Sequence, residues 1–120
     1  MTTGTMFDKS VFRRLVAELG ADDVVALLDV FLADTSHKLN ALVANGGDRP
    51  RAKREAHAIK SSAATFGFAE LSGLARELEF GSDAMSDAQF AQSVAALHRS
   101  FDATSGFARD HLMTTSLETI

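Results

Sequence analysis

The sequence has no cysteine and a single proline, Pro50. Without cysteine there is no disulfide framework, no thiolate metal site and no cysteine nucleophile, and the chain suits a reducing cytoplasm. No apolar run approaches the roughly 20 residues of a membrane-spanning helix. Alternating β-branched runs are missing too, so no strand signal arises. There is no glycine-rich phosphate loop and no Asp/Asn pair set to hold magnesium, which excludes a self-sufficient kinase. The four histidines, His37, His57, His98 and His111, never pair at i+3 or i+4, and no Glu-x-x-His occurs, which argues against a metal centre. The net charge of −4 argues against a nucleic-acid partner.

What is present is helical periodicity. With 120 residues and 46% hydrophobic content the chain can build one core. Asp8 caps a short helix to Leu19, with Val11, Phe12, Leu15 and Leu19 apolar and Gly20 as its stop. A long helix opens at Asp22 and runs to about Asn45. Val24, Leu27, Leu28, Phe31, Leu39 and Leu42 form its core stripe, with Val25, Leu32 and Val43 on the flank. Asn45-Gly46-Gly47 is the clearest break. Asp48 caps a third helix that tolerates Pro50 in its first turn and ends at Gly67. The fourth helix runs from Phe68 to about Phe80, with Leu71, Leu74, Ala75 and Leu78 inward and Gly73 offering close packing. Gly81 to Asp83 reads as a loop. Ser86-x-x-Gln89 is a capping box for the last helix, whose stripe is Phe90, Val94, Leu97, Phe101, Ala108 and Leu112. Thr104 to Gly106 weakens that helix and predicts a kink or an early end. The expected architecture is all-α: an antiparallel up-down-up-down four-helix bundle with a short additional N-terminal helix. Residues 1–120 form one domain on this reading, with 1–6 and about 114–120 frayed.

The third helix carries the chemistry. At about 100° per residue, Ala52, Ala56, Ile59, Ala63 and Phe66 fall in one buried arc. His57 projects to the opposite side, flanked by Lys53, Lys60, Ser61 and Ala64. An exposed imidazole with an ordinary pKa near 6.5 is mostly neutral at pH 7 and keeps a free ring nitrogen, so it can attack phosphorus. Small neighbours leave room for a bulky visitor, and the lysines suit a group that gains negative charge. Arg49, Arg51, Lys53, Arg54 and Lys60 place five of the twelve basic residues in this one segment. The plain alternative for that cluster is a solvated helix face.

The run His57-x-Ile59-Lys60-Ser61-Ser62-Ala63-x-x-Phe66-Gly67, followed by Leu71, Leu74, Leu78 and Glu79, resembles the signature of the histidine-containing phosphotransfer (HPt) domains of two-component phosphorelays. Ser61 departs from the usual glycine; it either narrows the partner's approach or hydrogen-bonds the phosphoryl group. Phe68 stands where the family usually has alanine. The resemblance implies a phosphocarrier that takes a phosphoryl group from a receiver-domain aspartate onto His57, at Nε2, and passes it to another receiver. Lys60, Lys53 and Ser61 would stabilise the phosphoryl group. Phe12, Val25, Leu32, Ala64 and Phe68 are the candidates for an apolar docking collar, and Gly67 is the structural turn. The implied partners are response-regulator receiver domains and a hybrid or separate histidine kinase. The chain itself would need no cofactor, since magnesium is expected on the receiver, and would act in the cytoplasm as a monomer without its own ATP site. The competing reading is an adaptor that binds a receiver without being phosphorylated.

Overall fold

A computed structural model describes residues 6–44 and 46–113. The ends expected to fray therefore lie outside the described residues, Met6 excepted. Five α-helices follow one another: α1 (Lys9–Leu19), α2 (Ala21–Ala44), α3 (Arg49–Phe66), α4 (Ala69–Gly81) and α5 (Asp87–Phe107). A 3₁₀ turn, Ser82–Ala84, joins α4 to α5, and a π-helical turn, Ala108–Leu112, follows α5. No strand occurs among the described residues. Helices α2 to α5 make the four-helix bundle and α1 lies against α2 and α3.

The helix ends obey the local rules. The Asp8 carboxylate accepts from the amides of Ser10 and Val11 at 3.0 and 3.4 Å. Asp48 accepts from the Arg51 amide at 3.1 Å. Ser86 and Gln89 form the reciprocal capping box, at 2.8 and 3.1 Å. Gly67 closes α3 in the left-handed conformation (φ 86°, ψ 15°). Its amide donates to the Ala64 carbonyl and the Phe68 amide to the Ala63 carbonyl, the double bond of a Schellman end. The Asp8 amide donates to the Gly67 carbonyl at 2.6 Å. A Cβ at Gly67 would stand 2.5 Å from the Asp8 carbonyl oxygen. Glycine is thus required both by dihedral and by space.

Around that joint the aromatic rings gather. Phe7 contacts Phe12, Phe68 and Phe107 at centroid distances of 5.5, 5.8 and 4.9 Å, and Phe31, Phe66 and Phe68 contact one another at 5.2 to 6.0 Å. This cluster, with the buried Leu28, Leu39, Ile59, Leu71, Leu78 and Leu97, is the core.

Several expectations need correction. Phe12, Leu32 and Phe68 are buried, so none of them belongs to a docking collar; each packs in the core instead. Leu27, expected inside, is 47% exposed. On α2 the buried residues Val24, Leu28, Phe31, Thr35, Leu39 and Leu42 fill an arc of roughly 80°. Leu27 lies about 40° beyond one edge of that arc and Leu32 about 20° beyond the other, and only the Leu32 edge is covered. Helix α5 does not break at Thr104–Gly106: Thr104 is buried and the helix continues to Phe107, with the distortion falling just after it as the π turn. A Cβ at Gly73 would meet nothing within 4 Å, so close packing does not demand glycine there.

Candidate functional site

The predicted buried arc of α3 is observed, with Ala52, Ala56, Ile59, Ala63 and Phe66 all inside. His57 consequently faces out, its side chain 63% exposed. Helix α4 runs beside α3 and brings Glu79 to it. The Glu79 carboxylate bridges two side chains of α3: Oε2 lies 2.6 Å from His57 Nδ1, and Oε1 lies 2.8 Å from Lys60 Nζ. Ser72 of α4 donates its hydroxyl to the Lys60 carbonyl at 2.9 Å, which pins the two helices at this level.

This bridge sets the state of the ring. A carboxylate only accepts, so Nδ1 carries the proton and Nε2 carries the lone pair. Among the described residues Nε2 has no partner, and it is open to solvent. Lys60 holds the Glu79 carboxyl below its ordinary value of 4.5, with His57 adding to this and partial burial opposing it. Glu79 is therefore an anion at neutral pH. The Lys60 ammonium also sits 4.8 Å from the centroid of the Phe80 ring, on whose face the Arg76 guanidinium lies at 5.3 Å. Phe80 itself is 67% exposed. Lys53, Arg54, His57, Glu79 and Phe80 line an open depression of about 560 Å³.

Lys53 does not stand free beside His57. Its ammonium lies 2.7 Å from Asp83 Oδ2, in the 3₁₀ turn, and it holds the Asp83 carboxyl below its ordinary value. Arg49 grips the same connection, donating to the Ser82 carbonyl, to the Met85 carbonyl at 2.9 Å and to Asp87 at 2.9 Å. Two residues of the basic segment are thus clamps on the α4–α5 turn. Ser61 and Ala64 are exposed on the His57 side of α3, and Val25 is half-buried against the core. A second groove, between α2 and α3, is lined by Leu27, Val30, Phe31, Asp34, Ser62, Thr65 and Phe66. The exposed Leu27 and Val30 (65%) supply apolar surface there that the sequence reading assigned elsewhere.

Glu79 is the site residue that helical spacing missed. It is 22 positions from His57, and no periodicity within one helix reports a contact between two. Its only signal was the Leu78-Glu79 close of the motif. No cluster of His, Asp or Glu suited to a metal ion occurs among the described residues. None of the helices there is long and apolar enough to cross a membrane.

The site is thus an outward imidazole held from behind by a carboxylate, on a helical bundle. Residues 26–106, about two thirds of the chain, match the Hpt domain family, and the chain belongs to that family. Its class chemistry is histidine phosphotransfer in phosphorelays, exercised as a carrier in exchange with receiver domains and kinases. No curated protein and no solved structure matches the chain.

Proposed function

We propose that His57 is the phosphoryl acceptor and donor of this domain, exchanging the group with the aspartates of two receiver domains through Nε2. The observation that carries the reading is the 2.6 Å contact from Nδ1 to Glu79 on a ring that is otherwise open. In the forward step the Nε2 lone pair attacks the phosphorus of an aspartyl phosphate. The Nε2–P bond forms as the P–O bond breaks, and the aspartate carboxylate leaves with the electron pair. The ring, protonated at Nδ1, becomes cationic, and Glu79 faces that charge as it develops. Lys60 keeps Glu79 ionised and in place. The return step is the reverse, onto a second carboxylate.

Magnesium and the in-line geometry belong to the receiver's acidic pocket; this chain supplies the nucleophile and the surface. Docking falls to the outer face of α3 beyond His57, with Ser61 and Ala64, and to the neighbouring groove with Leu27 and Val30. On this reading the chain is a carrier and not an enzyme, needs no cofactor of its own, and works in the cytoplasm as one copy against one receiver.

The test is incubation with purified receiver domains labelled at the aspartate. Label should appear on this chain, labile to acid and stable to base, and should be absent from His57→Gln. Equal labelling of His57→Gln would contradict the assignment. Binding of a receiver with no labelling of the wild type would favour the adaptor.

A further inference from the structure

Three cations surround His57, and the structure does not treat them alike. Lys60 is paired with Glu79 at 2.8 Å and rests on Phe80. Lys53 is paired with Asp83 at 2.7 Å. Arg54 is exposed, lines the same depression as His57, and has no carboxylate partner among the described residues. Its neighbour Glu55 lies toward Arg51, at 3.9 Å.

Phosphorylation puts close to two negative charges on Nε2. Lys53 and Lys60 each have a carboxylate to leave before they can serve that charge, and freeing Lys60 would also loosen Glu79. Arg54 has nothing to leave. It lies three residues before His57, on the adjoining helical row. Helical side chains lean toward the N-terminus, which carries the imidazole over the turn that holds Arg54. A guanidinium is planar, more weakly hydrated than an ammonium, and matches two phosphoryl oxygens at once.

We propose that Arg54 is the residue that binds the phosphoryl group on His57, while Lys53 and Lys60 hold Asp83 and Glu79. This rests on His57 being the acceptor. It differs from the expectation that the two lysines are the counter-charges.

The experiment uses the full chain, phosphorylated chemically with phosphoramidate, and follows the ³¹P resonance against pH. His57→Gln identifies the signal of His57 among those of the other histidines. Removing a nearby cation raises the pKa of the phosphoryl group, an effect that a merely structural role would not produce. Arg54→Gln should raise it by about 0.3–0.5 at low salt, Arg54→Lys should restore most of the difference, and Lys53→Gln should move it less. High salt should shrink the differences. Because Arg54 is exposed, the melting temperatures of the two Arg54 variants should stay close to wild type.

An Arg54→Gln titration that overlays the wild type, or a larger shift from Lys53→Gln, overturns the assignment. The carrier reading has its own separate outcome. An Arg54-dependent phosphoryl pKa together with no uptake from labelled receivers would leave Arg54 standing as the anion-binding residue and defeat the relay.

Discussion

The last turn and the middle of α3 are built on opposite terms. Its last turn, at Phe66 and Gly67, is locked: the Phe31 and Phe68 rings pack on Phe66, the Gly67 carbonyl accepts from the amide of Asp8, the cap of α1, and a single added methyl has no room. Its middle, at His57, is open: the side chain is mostly in water and is held by one carboxylate from α4. A nucleophile that must meet another protein has to be exposed, yet an exposed imidazole left alone would sample both tautomers and many rotamers. The closed end fixes the angle and register of α3 against α4, so Glu79 arrives where a single contact sets the ring. Packing is densest at the last turn of the helix, and the open imidazole stands at its middle.

Substitutions can break this comparison one region at a time. The largest effect on chemistry is expected from His57→Gln, which should abolish labelling by phosphorylated receivers and leave the melting temperature within a few degrees of wild type, since exposed positions usually change stability by about 0.5 kcal/mol or less. The mirror case is Phe68→Ala. It empties a fully buried site and should cost about 3–5 kcal/mol in a urea or thermal melt. At a temperature where that variant remains folded, labelling of His57 should persist; loss of labelling there would show that the two regions are not separable.

Glu79→Gln tests the link between them. Glutamine keeps the shape but no longer compels Nδ1 to carry the proton, and it gives no charge to the developing imidazolium. The rate of transfer should fall by roughly ten- to a hundredfold, read by rapid-quench labelling. The pH dependence has a definite sign. The folded pKa of Glu79 is depressed below 4.5, so its stabilising pairing with Lys60 and His57 is present above that value and is lost as the pH falls through the lowered one. Wild type and Glu79→Gln should therefore differ in stability near neutrality and converge in acid. Divergence in acid would contradict the bridge.

The smallest effect is expected at the docking surface. Leu27→Ser with Val30→Ser removes exposed apolar side chains from the α2–α3 groove. It should weaken receiver binding about three- to tenfold in a titration, with the fold unchanged. No change in affinity would move the docking surface elsewhere.

Much of this was legible in the sequence, because much of it is local. The caps at Asp8, Asp48 and Ser86, the glycine stop at Gly67 and the outward direction of His57 follow from residues within a turn or two of each other. What was not legible depends on contacts between helices. Periodicity puts Leu27 and Leu32 on opposite sides of the stripe of α2, and the neighbouring helices decide that only the Leu32 side is covered. Phe12 and Phe68 look alike as apolar positions near a helix end whether they face a visitor or the core. Lys53 looks free until Asp83 is brought to it from 30 residues away, and Glu79 acquires its role in the same manner, across 22.

The central claim is that Glu79 fixes the proton on Nδ1 so that Nε2 of His57 does the chemistry. The measurement that tests it most directly is assignment of the phosphohistidine isomer by ¹H–¹⁵N and ³¹P correlation after transfer from a labelled receiver. The account predicts one phosphorylated residue, His57, bonded to phosphorus through Nε2 and retaining a proton on Nδ1 toward Glu79. Phosphorus on Nδ1 of His57, or on any other histidine, would contradict it.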